Sequence, residues 1–251
     1  RNIIFCNGDD SRIINWPKHV VVFRFALSRE NNSPQELSFP HFHHDIFKSN
    51  NEMAGLDLRS KKSRPNVGFC GYAPPINTPY NFQKVKDIVK FGIYLFFKRK
   101  SNNSSTHAVR TLCIIRMIFT RKINSNFIIR RSFAFNKYGV LQPGGSTEKS
   151  LEQRIEYINN IKESDYVLCV RGIANSSIRL YESLCLGRLP LIINTQCIFP
   201  AEDFINYNQL GLVVDEKDII KLPEILKRFH NSISNDEFQK RQIRSREVWL
   251  K

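Results

Sequence analysis

Acidic residues are scarce in this sequence. Only 23 Asp and Glu stand against 38 Lys and Arg, which leaves a formal charge of +15 over 251 residues. The cations run along the whole chain, so an anionic partner is expected: nucleic acid, an anionic membrane surface or an anionic substrate. No nucleic-acid reading module is recognisable, so no specific nucleic-acid partner is expected. No C-x-x-C spacing joins the six cysteines, Cys6, Cys70, Cys113, Cys169, Cys185 and Cys197. That argues against a zinc site and for reduced core thiols in a cytoplasmic chain. No uninterrupted apolar run reaches the roughly 18 residues of a membrane-spanning helix. The chain starts at Arg1, so an N-terminal anchor could have been removed, and a Golgi lumen location would then apply. With 41% hydrophobic and 12% aromatic residues, the chain has ample material for a packed core, which excludes a disordered protein.

What is present is organised around residues 149–200. Tyr166 to Val170 is a short apolar run, Gly172 sits in a polar loop, and Ser177 opens a segment with apolar residues at helical spacing. After the Gly187–Arg188 break a second apolar run extends from Leu189 to Ile193. The pattern predicts strand, loop, helix, turn, strand: two buried parallel strands joined by a crossover helix.

The loop of this unit has a chemical use. A helix N-terminus offers unpaired amides and the positive end of the helix dipole, which together suit an anion. Asn175, Ser176 and Ser177 are candidate caps and donors there. Arg171 precedes the helix and Arg179 lies just inside it, so two guanidiniums could converge on a diphosphate. Glu182 follows Arg179 by three residues on the same helical face and could accept the hydroxyls of a ribose. The plain alternative is a surface pair between Arg179 and Glu182, with Arg171 a solvated loop cation.

These residues resemble a known family. Ser164–Asp165–Tyr166–Val167–Leu168–Cys169–Val170–Arg171–Gly172, then Ser177, Arg179, Tyr181–Glu182, Gly187–Arg188–Leu189–Pro190 and Pro200, are similar to the exostosin-type (GT47) glycosyltransferases of the GT-B superfamily. Asn7–Gly8–Asp9–Asp10, Val20 to Arg24, Phe39–Pro40, His44–Asp45 and Arg64 to Gly71 agree in the same order. The resemblance covers roughly residues 1–215. It implies an α/β, GT-B-like fold with two Rossmann-like halves built on parallel sheets. It also implies a nucleotide-sugar-dependent transferase with no required metal or cofactor, whose C-terminal half binds the donor through Arg171, Gly172, Ser176, Ser177, Arg179 and Glu182.

Taken in order, Asn2 to Cys6 reads as a strand that delivers Asp9 and Asp10 to its C-terminal end, where α/β proteins keep their chemistry; a simple turn is the other reading. Val20 to Phe25 is the next strand. The cluster His41–Phe42–His43–His44–Asp45 invites a metal, but adjacent histidines diverge, so a pocket role is preferred. Asp9, Asp10 and Asp45 are the candidate bases toward an acceptor hydroxyl, with Asp45 best matched to the family and His43 and His44 beside it. Residues 49–65 are polar and basic and read as a linker.

Phe82 to Lys98 is an amphipathic, lysine-edged helix, expected to cover a sheet, with an anionic membrane surface as its other reading. Ala108 to Thr120 is a helix and Asn126 to Ile129 a strand. Leu151, Ile155, Ile158 and Ile161 mark an amphipathic helix. Leu210 to Val214 is a strand, and Asp218 to Phe229 and Asp236 to Trp249 are closing helices.

The expected division is an acceptor-side portion over 1–63, short or truncated; a Rossmann-like donor domain over 64–235; and a C-terminal helix over 236–251 that crosses back onto the first portion. The expected reaction is inverting transfer from a nucleotide-diphosphate sugar to a glycan or lipid-linked acceptor, with peripheral contact to an anionic membrane. The rival readings are a non-catalytic binder of polyanions and an inactive transferase homologue.

Overall fold

The computed structural model describes residues 2–6, 14–41, 45–46, 56–76, 82–97, 106–131, 148–172 and 174–251. Asp9, Asp10, His43 and His44 lie outside them.

Strands β1 (Asn2–Cys6), β2 (Val20–Arg24) and β3 (Glu36–Ser38) form a parallel sheet in that order. Along β2 the residues alternate between buried and half-buried, as one covered face requires. Beneath it, Arg24 pairs with Glu36 at 2.7 Å with both side chains buried, and the Trp16 indole donates to the same carboxylate at 2.8 Å. Two buried charges persist because each is answered by hydrogen bonds.

The second sheet holds β4 (Asn66–Tyr72), β5 (Asn124–Arg130), β6 (Tyr166–Cys169), β7 (Leu189–Asn194) and β8 (Leu212–Asp215), all parallel, in the order β5-β4-β6-β7-β8. β6 is buried throughout and β7 nearly so, as strands with cover on both faces must be. Around it lie α1 (Phe82–Phe97), α2 (Thr106–Ile118), α3 (Glu148–Lys162), α4 (Ile178–Cys185), α5 (Leu222–Ser232) and α6 (Asn235–Leu250). The predicted strand, loop, helix, turn, strand unit is therefore β6, α4 and β7. The chain leaves β4 for β5 on one side and returns to place β6 on the other, so the topological switch point lies between β4 and β6.

Several expected boundaries move. Tyr207–Gln209 is a 3₁₀ turn, and the Leu210 and Gly211 amides both donate back to its Tyr207 carbonyl, so the strand expected from Leu210 begins at Leu212. The helix expected from Asp218 is a 3₁₀ turn over Glu216–Lys221 followed by α5, because Pro223 lacks an amide and fits only a first helical turn. On α3, Ile158 and Ile161 are buried but Leu151 and Ile155 are exposed, and Arg154 and Tyr157 turn toward α4 instead. On α1, Tyr94 reaches Glu216 and Asp87 turns to the Tyr72 hydroxyl, while Val85, Ile88, Val89 and Ile93 face outward. The expected sheet-covering face of α1 is thus the reverse of the observed one.

The described part of the expected linker, 56–65, is a strap laid over the C-terminal helices. Arg59 exchanges two hydrogen bonds with the Gln242 side chain and pairs with buried Asp165 at 2.8 Å. The Lys61 amide donates to Asn235, and the Lys62 carbonyl accepts from His230. α6 also crosses back as expected, since Arg246 binds Asp45 at 2.8 Å.

Candidate functional site

The C-terminal ends of β4, β6 and β7 open on one side of the second sheet, and the segment after β6 is shaped there by specific bonds. Ser177 is the N-cap of α4 in extended conformation (φ −138°, ψ 113°), so the helix starts at Ile178 and its first amides have no intrahelical partner. Buried Asn175 donates to the Thr195 carbonyl at 2.9 Å and accepts from the Thr195 hydroxyl, which ties the loop to the end of β7. Ser177 accepts no cap bond, and its hydroxyl is buried without a partner among the described residues.

Arg171, Asn175, Ser176 and Ser177 line a narrow crevice of about 30 Å³ with Thr195 and Cys197 from the second sheet and Phe25 and Ser38 from the first portion. Three of the six residues expected at the donor site, Arg171, Ser176 and Ser177, therefore meet in one wall. The other three do not line it. Gly172 sits against Arg110: a Cβ there would come within 3.1 Å of that guanidinium. Arg179 donates to the Cys70 carbonyl at 2.8 Å and lies over the Phe69 ring at 4.5 Å. Gly71 permits this approach, because a Cβ at that position would stand 2.3 Å from the Arg179 nitrogen. Arg171 thus lines the crevice, whereas Arg179 is held at the end of β4 and does not line it. Glu182 is 2% exposed; it pairs with Arg154 at 2.7 Å and accepts from the Tyr157 hydroxyl. Glu182, expected to face a ribose, with a surface pair to Arg179 as the alternative, is instead an anchor between α3 and α4.

One cation absent from the sequence reading occupies the switch point. Arg110 of α2, 4% exposed, donates to the Tyr72 carbonyl and to the Arg171 carbonyl, both at 2.9 Å, and so ties the end of β4 to the end of β6. Burial first, and the neighbouring Arg179 guanidinium second, push Arg110 down to about 9. Among the described residues neither Arg110 nor Arg179 has a carboxylate partner, and the Nε of each is buried without a hydrogen bond. Two adjacent guanidiniums that share no carboxylate among the described residues favour an anion beside them. The available signal was an arginine on the apolar face of a helix otherwise made of Val109, Cys113, Ile114 and Met117.

In the first portion, Asp45 is spoken for: its carboxylate holds Arg246 at 2.8 Å and accepts from the Cys185 thiol. That makes it a bolt between the first portion and α6 rather than an exposed base. His41 crosses to the loop before α4, where its Nε2 lies 2.9 Å from the Ser176 hydroxyl. Its ring stacks on Phe25 at 5.1 Å and meets Tyr181 edge-on. His41 also lines a larger cleft of about 1110 Å³, walled by Phe39, Pro40, Phe204, Tyr207 and Trp249, which shares Ser38, Tyr181 and Pro200 with the narrow crevice. His41 therefore stands at the junction of the two spaces.

Known proteins give this geometry a context. The profile of the Exostosin GT47 domain matches residues 66–229. A probable glucuronosyltransferase of Oryza sativa subsp. japonica is 33% identical over 93 residues, covering 37% of this chain and 20% of that protein. A probable β-1,4-xylosyltransferase of Arabidopsis thaliana is 35% identical over 77 residues, 31% of this chain and 19% of the relative. An exostosin-1 homolog of Caenorhabditis elegans is 34% identical over 73 residues, 29% and 19% respectively. The matched stretch spans about a fifth of these relatives' length. Among solved structures, TarM aligns with a TM-score of 0.41 and 10% identity, covering 92% of this chain and 40% of that one. The GT47 profile runs from the first residue of β4 to the last turns of α5, more than half of the chain, and on that ground the chain belongs to the exostosin GT47 family.

Proposed function

We propose that this chain forms the donor half, with part of the acceptor side, of an inverting glycosyltransferase that uses a nucleotide-diphosphate sugar and no metal. The observation that carries the reading is the pair of buried Arg110 and half-buried Arg179 at the switch point, beside the α4 N-terminus and without carboxylate partners among the described residues. A leaving diphosphate gains negative charge in the transition state, and fixed cations and amides stabilise that charge without reorganising. Arg171, on the crevice wall, adds a third cation. The names of the relatives make glucuronyl and xylosyl donors the first to try.

His41 is the base we assign, in place of Asp9, Asp10 or Asp45. It takes the proton of the acceptor hydroxyl as that oxygen bonds to the anomeric carbon, while the bond from that carbon to the diphosphate breaks on the opposite side. The acceptor, a glycan or lipid-linked sugar, lies in the larger cleft, where Phe39, Phe204 and Trp249 supply apolar faces for sugar rings. A ribose could reach Glu182 only by displacing Tyr157 or Arg154, so Glu182 is read as positioning α4 and through it Arg179.

The test is a thermal-shift series with uridine and guanosine diphosphates and their sugars, followed by transfer from the donor that stabilises the protein. Stabilisation by one nucleotide at micromolar concentration, with modest salt dependence, supports the reading. The charge of +15 favours a second reading, a polyanion binder, whose affinity would collapse steeply between low and moderate salt.

A further inference from the structure

We infer that α1 is an interfacial helix that docks the protein on an anionic membrane surface, independently of the donor site. On a helix each residue advances 100°, so Val85, Ile88, Val89 and Ile93, at i, i+3, i+4 and i+8, form one stripe, with Leu95 at its edge. In a helix that covers a sheet this stripe would be buried. Here the five side chains are 46%, 47%, 54%, 47% and 46% exposed. The opposite side is the one that packs, through Asp87 on the Tyr72 hydroxyl and Tyr94 on Glu216 at 3.0 Å. α1 is thus seated by its polar side and offers its apolar side outward.

The charges around the stripe decide the occupant. Lys84 borders it on one flank and Lys86 and Lys90 on the other, whereas Asp87, the helix's one acid, points inward. Lys98, Arg99 and Lys100 follow directly in sequence. A second copy laid on this face would set lysine flanks against lysine flanks, which is unfavourable. A membrane interface with acidic headgroups fits both features, because the aliphatic stripe enters the acyl boundary while the flanking ammonium groups reach the headgroups. No helix among the described residues is long and apolar enough to cross a membrane, so the contact is peripheral.

The experiment is co-sedimentation of the full chain with vesicles of phosphatidylcholine alone and of phosphatidylcholine mixed with phosphatidylserine, alongside analytical ultracentrifugation. The expected result is binding to the mixed vesicles, weaker by about tenfold or more on phosphatidylcholine alone. I88Q/V89Q, at two exposed positions and checked for an unchanged circular dichroism spectrum, should lose about tenfold or more, and K86Q/K90Q should lose several-fold. Three outcomes overturn the inference. One is no binding to either vesicle. Another is equal binding by I88Q/V89Q and the parent protein, which means bulk electrostatics alone. The third is a concentration-dependent dimer that I88Q/V89Q disrupts, which assigns the face to a second copy. None of these bears on nucleotide binding.

Discussion

Arg246 reaches back 201 positions along the sequence to hold Asp45 at 2.8 Å, with the two side chains only 17% and 9% exposed. The same guanidinium donates to the Cys185 carbonyl and lies over Trp249, so the end of α6, the first portion and α4 share one fastening. Asp45→Ala strands a half-buried cation. It should lower unfolding free energy by about 2 kcal/mol in urea titration, between the values for surface and fully buried pairs, with nucleotide affinity unchanged. Loss of transfer at unchanged stability would return Asp45 to the role of base.

Arg110 and Arg179 are predicted to act on the diphosphate together. Arg179→Ala should weaken nucleoside diphosphate binding by about tenfold or more in calorimetry while the fold is kept, since a charge-assisted contact to phosphate is worth about 1.5–3 kcal/mol. Arg110→Lys keeps the charge but cannot bridge the Tyr72 and Arg171 carbonyls as a fork does, so it should lower both stability and affinity. Wild-type affinity in Arg179→Ala would remove that residue from the donor site.

For Glu182 the prediction separates anchoring from ribose contact. Glu182→Gln keeps the shape but discards the charge facing Arg154. The protein should lose about 2–4 kcal/mol of stability, and nucleosides lacking the ribose 2′-hydroxyl should be discriminated as well as by the parent. Discrimination lost at full stability would establish a ribose contact instead.

His41→Ala should abolish transfer to an added acceptor while leaving nucleotide affinity within about twofold, and free imidazole should restore part of the rate. Undiminished transfer would exclude His41 as the base.

Two histidines, half-buried His107 and buried His230, set the acid limit. Burial, reinforced by the Arg110 charge, pushes His107 down to about 4. Burial also lowers His230, whose Nε2 donates to the Lys62 carbonyl, which in the neutral ring leaves Nδ1 to accept from the Tyr166 hydroxyl. A histidine with a depressed folded pKa contributes stability that is fully present above the unfolded value near 6.5 and is lost as pH falls toward the folded value. Unfolding free energy should therefore decline from about pH 6.5 down to about 4, and His107→Gln should flatten that slope.

The sequence by itself determined the β6–α4–β7 unit, because uninterrupted apolar runs can be satisfied only by burial on both faces, and the Gly187–Arg188 break marks where the crossover ends. It also placed Arg171, Ser176 and Ser177 together, since a loop between a strand end and a helix start leaves them little choice. It could not tell which face of a helix is outward. α1 and α3 each carry a clear apolar periodicity, yet α1 turns its stripe to solvent and α3 turns Arg154 and Tyr157 inward, because Glu182 and Glu216 on distant segments outbid local pattern. Which ionisable groups are already occupied was equally out of reach. Asp45 and Glu182 read as available carboxylates until Arg246 and Arg154 were seen to hold them, Arg110 went unnoticed on its helix, and His41 was one member of a His/Asp cluster until the fold set it at the cleft. Period and composition are local properties, whereas counter-ions are assigned by contacts between residues as much as 201 positions apart, and only the tertiary structure makes those.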